Sequence, residues 1–139
     1  MNIGLLLYIP YRELENRIMS VITEAGYDVT LAQARLLQRI GPDGTRLTEL
    51  AEAAQVTKQT AGFLVDQLEK AGYVERLPDP TDGRARLVCV TEKAKGAAPV
   101  AEAEIARIEA EWERHIGKRR MAQLREALEK LGEITDPYR

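Results

Sequence analysis

Two apolar stripes of helical spacing, set close together, constrain this chain more than any other feature of its sequence. Leu47, Leu50, Ala51 and Ala54 fall at i, i+3, i+4 and i+7, one apolar face over about two turns of helix. After Gln55-Val56, Thr57 offers a capping oxygen, and Ala61, Leu64, Val65 and Leu68 repeat the spacing until Ala71-Gly72 ends it. The pair reads as a helix-turn-helix. From Tyr73 to Leu77 the pattern changes to a short β-like run, and Leu87-Val88-Cys89-Val90-Thr91 forms a second. Between them lies Pro78-Asp79-Pro80-Thr81-Asp82-Gly83-Arg84, rich in turn formers, so the two runs read as a hairpin with a long charged tip, a wing. The expected fold is mainly α with a small β-hairpin: a winged helix-turn-helix.

The flanking segments are helical. Met1 to Tyr27 carries Leu7, Leu14, Ile18 and Ile22 among its apolar positions and stops at Gly26; Pro10 either kinks this helix or marks its first turn. Thr30 and Gln33 have capping-box spacing, opening a helix through Leu36, Leu37 and Ile40 to the Gly41-Pro42 breaker. From Thr91 onward Ile105, Ile108, Trp112 and Ile116 are apolar at helical intervals, with Gly96 and Pro99 weakening the first turns. Met121, Leu124, Leu128 and Leu131 then follow in heptad-like steps, a narrow seam suited to a partner helix. Apolar faces at both ends of so short a chain predict a homodimer in which Leu7, Leu14, Met121, Leu124, Leu128 and Leu131 meet a second subunit. The expected organisation is a single domain over 1–139, with a winged helix-turn-helix lobe at 30–91 and dimerisation helices at 1–27 and 92–139.

Composition narrows the function. With 45% hydrophobic, 30% charged and only 5% aromatic residues, the chain suits amphipathic helices better than a barrel or sandwich. Its net charge of −2 requires any surface that attracts phosphate to be local. A lone cysteine, Cys89, precludes an intramolecular disulfide and fits a reducing cytoplasm; flanked by Val88 and Val90 without an activating group, it reads as an inert buried thiol rather than a redox sensor. The apolar opening from Leu5 to Ile9 stops at Pro10, far short of a bilayer span, so no membrane association is expected. One histidine, His115, and one cysteine do not make a metal cluster, and no phosphate-cradling glycine loop is present. No catalytic residue, metal or cofactor is therefore expected.

Turning the apolar stripe of the second helix toward the core places Gln59, Phe63, Asp66 and Lys70 outward. Such a helix can enter the major groove of double-stranded DNA by its first turns. Thr57 and Thr60 suit phosphate, Lys58 neutralises it, and Gln59 offers an amide edge to adenine. An ordinary polar helix face is the alternative. Phe63 either meets a thymine methyl or packs on the wing or a neighbouring helix. Asp66 and Glu69 repel phosphate, which throws weight onto the wing. There Arg84 and Arg86 place two guanidiniums on a projecting loop, as a narrow minor groove favours, with Asp82 able to brace Arg84 by a bidentate pair.

Val74-Glu75-Arg76, then Asp79-Pro80-Thr81-Asp82-Gly83-Arg84, then Val88-Cys89-Val90-Thr91-Glu92-Lys93 form a wing and its exit into a helix. With the Leu50-Ala51 helix, the Val56-Thr57-Lys58 turn and the Leu64-Val65-Asp66 run into Leu68-Glu69, this pattern resembles the multiple-antibiotic-resistance regulator (MarR) family along essentially the whole chain. The resemblance implies a transcriptional regulator acting as a repressor, with Arg84 in the minor groove, Thr57 to Thr60 at phosphate and major groove, and terminal helices forming the dimer. Two departures stand out: Gly83 where the family often has a second arginine, and Phe63 where a basic or polar residue is common. Many members release DNA on binding a small aromatic anion; Tyr8, Tyr11 and Arg12 would supply aromatic walls and a cation for such an aromatic or phenolic effector. Two rivals remain on the residues themselves: a winged-helix protein-interaction module, and a ligand-binding helical dimer without DNA activity.

Overall fold

The computed structural model describes residues 1–138. Its chain divides into two compact units, residues 28–98 and residues 1–27 with 99–137.

In the first unit, α2 (Leu31–Leu37) opens on the expected capping box: Thr30 accepts from the Gln33 N–H, and the Gln33 side chain accepts from the Thr30 N–H. The helix ends three residues before Ile40. Arg39 and Ile40 donate instead to Leu36 and Leu37, so the chain tightens to three-residue turns ahead of Gly41-Pro42. α3 (Leu47–Ala54) and α4 (Lys58–Lys70) have the bounds that their stripes require, joined through Gln55 in the left-handed conformation (φ 57°) and Thr57 as N-cap. Leu50 and Ala51 of α3 and Ala61, Leu64, Val65 and Leu68 of α4 are buried with Leu36, Tyr73, Val74 and Val88, and these side chains form the core of the unit.

The hairpin is longer and its tip shorter than the turn formers suggest. β1 (Val74–Asp79) pairs antiparallel with β2 (Asp82–Val90), from Val74 opposite Val90 to Pro78 opposite Arg86, with an irregularity at Pro78/Asp79. Only Pro80 and Thr81 lie outside the strands, so Gly83 and Arg84 belong to β2 rather than to a loose tip. The cause is a side chain: Asp79 Oδ1 accepts from both the N–H (2.9 Å) and the hydroxyl (2.7 Å) of Thr81 and closes the turn. A third segment joins at Thr45, which exchanges backbone hydrogen bonds with Val88 at 3.0 and 2.8 Å. Its approach depends on Gly44, at φ +90°, where a Cβ would stand 2.7 Å from Cys89 Sγ.

The end of α4 is secured by its neighbours. Gly72 turns at φ +84°, Thr91 donates to its carbonyl at 2.6 Å, and Lys93 donates to the Ala71 carbonyl at 2.7 Å. The Lys93 ammonium also stands 4.5 Å from the Tyr73 ring centroid, completing the cationic cap that a helix C-terminus favours. The helix read from Thr91 onward is broken: Thr91 caps α5 (Glu92–Lys95), Gly96 ends it, and α6 (Ala97–Ile116) takes Pro99 in its first turn, where no amide hydrogen is needed.

In the second unit, α1 (Ile3–Glu24) starts from the Asn2 cap and runs through Pro10 without interruption, so proline neither begins nor ends it. The backbone bond lost to Pro10 would have gone to Leu6, in a stretch exposed from Met1 to Glu13 where solvent reaches the freed carbonyl. α1 is stapled to α6 by Arg17, which donates to Glu104 (2.9 and 3.1 Å) and to Glu111. Glu104 is buried, and the hydrogen bonds from Arg107 and then Arg17 hold its carboxyl below the ordinary value. α7 (Lys118–Thr135) follows Gly117 and has no buried residue. No helix among the described residues is long and apolar enough to cross a membrane.

Candidate nucleic-acid interface

The amino-terminal turn of α4 is a constructed surface. Thr57 Oγ1 accepts the Thr60 N–H at 3.0 Å and donates to Thr60 Oγ1 at 2.9 Å. The Thr57 hydroxyl is thereby committed to the cap, and the Thr60 hydroxyl keeps its own proton for an outside acceptor such as a phosphate oxygen. Thr57, Lys58, Gln59 and Thr60 are all exposed, and so are Phe63, Asp66 and Lys70, the outward positions read from the apolar stripe. Phe63 is 62% exposed. Neither the wing nor a neighbouring helix covers it.

Asp66 and Glu69 do not face solvent as bare carboxylates. Arg76, from β1, donates to Asp66 Oδ1 at 2.7 Å and to Glu69 Oε1 at 2.8 Å. The repulsion expected of this helix toward phosphate is therefore offset by a side chain seven to ten residues further on, itself half-buried. Arg76 was visible within the Val74-Glu75-Arg76 motif, but its role depends on the strand passing beside α4, which linear spacing does not reveal.

The wing is held at its turn end by a second pair that the sequence reading missed. Arg46, the residue preceding α3, donates to Asp79 Oδ2 through Nε (3.0 Å) and Nη2 (2.8 Å) and stands 3.9 Å from Asp82. The Thr81 N–H and hydroxyl, joined by Arg46, lower the buried Asp79 carboxyl to about 2. Asp82 does brace Arg84, but through the backbone: its Oδ1 accepts the Arg84 N–H at 3.1 Å. The bidentate side-chain pair expected there is not formed, because Asp82 is turned to its own strand and to Arg46. The Arg84 and Arg86 side chains are exposed and have no ion pair among the described residues, so two guanidiniums project from β2 with their charges uncommitted.

Elsewhere, Tyr8 and Arg12 come together, the guanidinium carbon 5.6 Å from the ring centroid, whereas Tyr11 turns away and donates to Glu15 Oε2 at 2.7 Å. Leu7, Leu124, Leu128 and Leu131 are exposed and Leu14 and Met121 half-buried. Ile3, Leu5 and Leu6 extend the apolar face of α1, and Ile134, 82% exposed, continues the α7 seam one step past Leu131. Cys89 is half-buried, and burial followed by the nearby Glu75 pushes its thiol up, away from reactivity. His115 is exposed.

Comparison with known proteins locates this arrangement. The sequence profile described as the MarR family matches residues 27–85. An HTH-type transcriptional regulator of Bacillus subtilis (strain 168), YfiV, is 31% identical over 94 residues. That alignment covers 60% of this chain and 59% of the relative, which is thus matched over about three fifths of its length. The crystal structure of MarR superposes with a TM-score of 0.77 at 26% identity, covering 97% of this chain and 98% of that one. CouR from Rhodococcus jostii RHA1, solved bound to p-coumaroyl-CoA, shares the fold with a TM-score of 0.70 at 23% identity over 94% and 91% of the two chains. These are transcriptional regulators rather than enzymes.

Proposed function

We propose that this chain, which matches the MarR family over residues 27–85 and shares the fold of MarR, is a transcriptional regulator of that family that binds double-stranded DNA as a homodimer and represses transcription from a pseudo-palindromic operator. The observation that carries this reading is the pairing of an exposed, capped α4 amino terminus with two wing guanidiniums, Arg84 and Arg86, that no acid neutralises among the described residues. Lys58, Gln59 and Thr60 enter the major groove with α4, and Arg84 with Arg86 follows the backbone into the adjacent minor groove, where negative potential is concentrated. Two-fold symmetry puts the half-sites about one helical turn apart. Such a repressor works in the cytoplasm.

A second element of the reading concerns release. CouR, which shares this fold, was solved with p-coumaroyl-CoA; here the exposed Tyr8 ring beside the Arg12 cation offers an aromatic face and a positive charge to a small aromatic or phenolic anion, while the Tyr11 hydroxyl is held by Glu15. Salicylate or p-coumarate titrated into the protein–DNA complex should lower affinity, and Arg12→Ala should blunt that response.

Selection of bound duplexes from a random pool, then titration of the enriched site at several salt concentrations, tests the main reading. A two-fold symmetric motif with steep salt dependence is expected. Arg84→Ala should weaken binding to that site by roughly tenfold, the order of one good groove contact, without changing the dimer. A folded dimer that enriches no duplex would overturn the reading.

A further inference from the structure

α4 buries one face through Ala61, Leu64, Val65 and Leu68 and turns the other outward. In the middle of that outward face stands the only phenylalanine of the chain, Phe63, 62% exposed. Its neighbours one turn away are polar: Gln59 before it, Asp66 and Gln67 after it. The lysines of α4 stand only at its ends, Lys58 and Lys70. The carboxylates of Asp66 and Glu69 are occupied by Arg76 at 2.7 and 2.8 Å.

These placements determine which base edges this face can recognise. A guanine is read through O6 and N7 by a guanidinium or ammonium, and a cytosine amino group by a carboxylate acceptor. The cation beside this face, Arg76, is engaged by Asp66 and Glu69, and those acids are thereby bound as well. An aromatic ring offers dispersion and apolar burial, and in the major groove the one apolar group on a base edge is the C5 methyl of thymine. Gln59, on the preceding turn, presents the amide that suits adenine, so the two side chains favour A·T pairs together.

Building on the DNA-binding reading above, we propose that Phe63 is the specificity-determining residue of the recognition helix: in each half-site its ring covers the C5 methyl of one thymine. The family resemblance places a basic or polar residue at this position, so the preference is particular to chains that carry a ring here.

The test uses the whole protein and its selected operator. Replacing each thymidine in turn by deoxyuridine removes only the methyl group. At one position per half-site the wild-type protein should lose about fourfold in affinity, and about sixteenfold when both half-sites are changed, the worth of one buried methyl at each. Phe63→Ala should be indifferent to the same replacement, and Phe63→Leu should keep part of the sensitivity. Conversely, a cytosine at that position should bind more tightly when 5-methylated, by a similar factor, in the wild type alone. Because Phe63 is exposed, neither variant disturbs the core, and unchanged melting curves check this. Indifference of the wild type to every deoxyuridine, or equal sensitivity in Phe63→Ala, would overturn the assignment while leaving DNA binding intact. Failure to enrich any duplex would overturn both.

Discussion

Asp79 shows how one side chain shapes the wing. Its carboxylate accepts from Thr81 on one oxygen and from Arg46 on the other, and these partners depress its pKa from 3.8 to about 2. Between those values the folded chain binds fewer protons here than the unfolded one, so stability rises with pH across the window. The contribution is fully present above the ordinary carboxylate range and is lost as pH falls through it toward 2. Asp79→Asn should therefore lower the thermal midpoint at pH 7, with the gap to the wild type closing as the pH is taken down to about 3, followed by circular dichroism. A gap that stays constant with pH would mean that Asp79 acts through shape alone. The residues of this knot were legible as turn formers, but not as a knot: nothing in the spacing of Arg46 and Asp79 announces that they touch. The same holds for the Asp82–Arg84 brace, expected between side chains and found through the backbone because the strand extends further than its turn-rich composition suggests. Phe63, by contrast, could be placed on the outward face from periodicity alone.

At the scale of elements, α3 and α4 were legible because their apolar stripes, cap and stop signals all agree. The ends that shifted, α2 at Leu37 and the helix after Thr91, lie where glycine and proline make neighbouring turns compete with the helix. What the sequence withheld is how elements share charge. Lys58 and Lys70 balance Asp66 and Glu69 within α4, and only Arg76, brought alongside by β1, tips the surface to positive. Arg76→Ala should cost little stability, as exposed ion pairs usually do, typically under about 1 kcal/mol. It should nevertheless reduce operator affinity by roughly fivefold to tenfold at low salt, with the difference narrowing as salt is added, because two unmasked carboxylates then face phosphate. Adding Asp66→Asn and Glu69→Gln removes the repulsion at its source, so the triple variant should recover most of the affinity. Recovery absent, with all proteins folded, would assign Arg76 to holding β1 against α4 instead.

For the whole molecule, the net charge of −2 and the apolar helix faces bear on the same question. A chain slightly acidic overall has little general attraction for DNA, so useful affinity must come from concentrating a few local contacts and doubling them. The doubling is what the faces of α1 and α7 offer: Leu7, Leu124, Leu128 and Leu131 are exposed in the single chain, and Ile134 extends the row. Water contact over so continuous an apolar row is unfavourable for an isolated subunit, and a two-fold partner presenting the same rows would remove it. Leu124→Glu with Leu128→Glu places two charges in that seam and should give a monomer by sedimentation velocity. Neither residue belongs to the unit at 28–98, whose core is Leu36, Leu50, Val65 and Leu68 with Tyr73, Val74 and Val88. The reading surface of α4 and the wing should therefore persist, seen as an unshifted Phe63 ring signal by nuclear magnetic resonance. A monomer contacts one half-site, so the slope of log affinity against log salt should fall to about half that of the dimer, since the slope counts neutralised phosphates. A variant that sediments as the wild type would remove α7 from the interface and leave α1 to carry it. A monomer with an undiminished slope would mean that one subunit makes all of the phosphate contacts, and the operator would then have no reason to be symmetric.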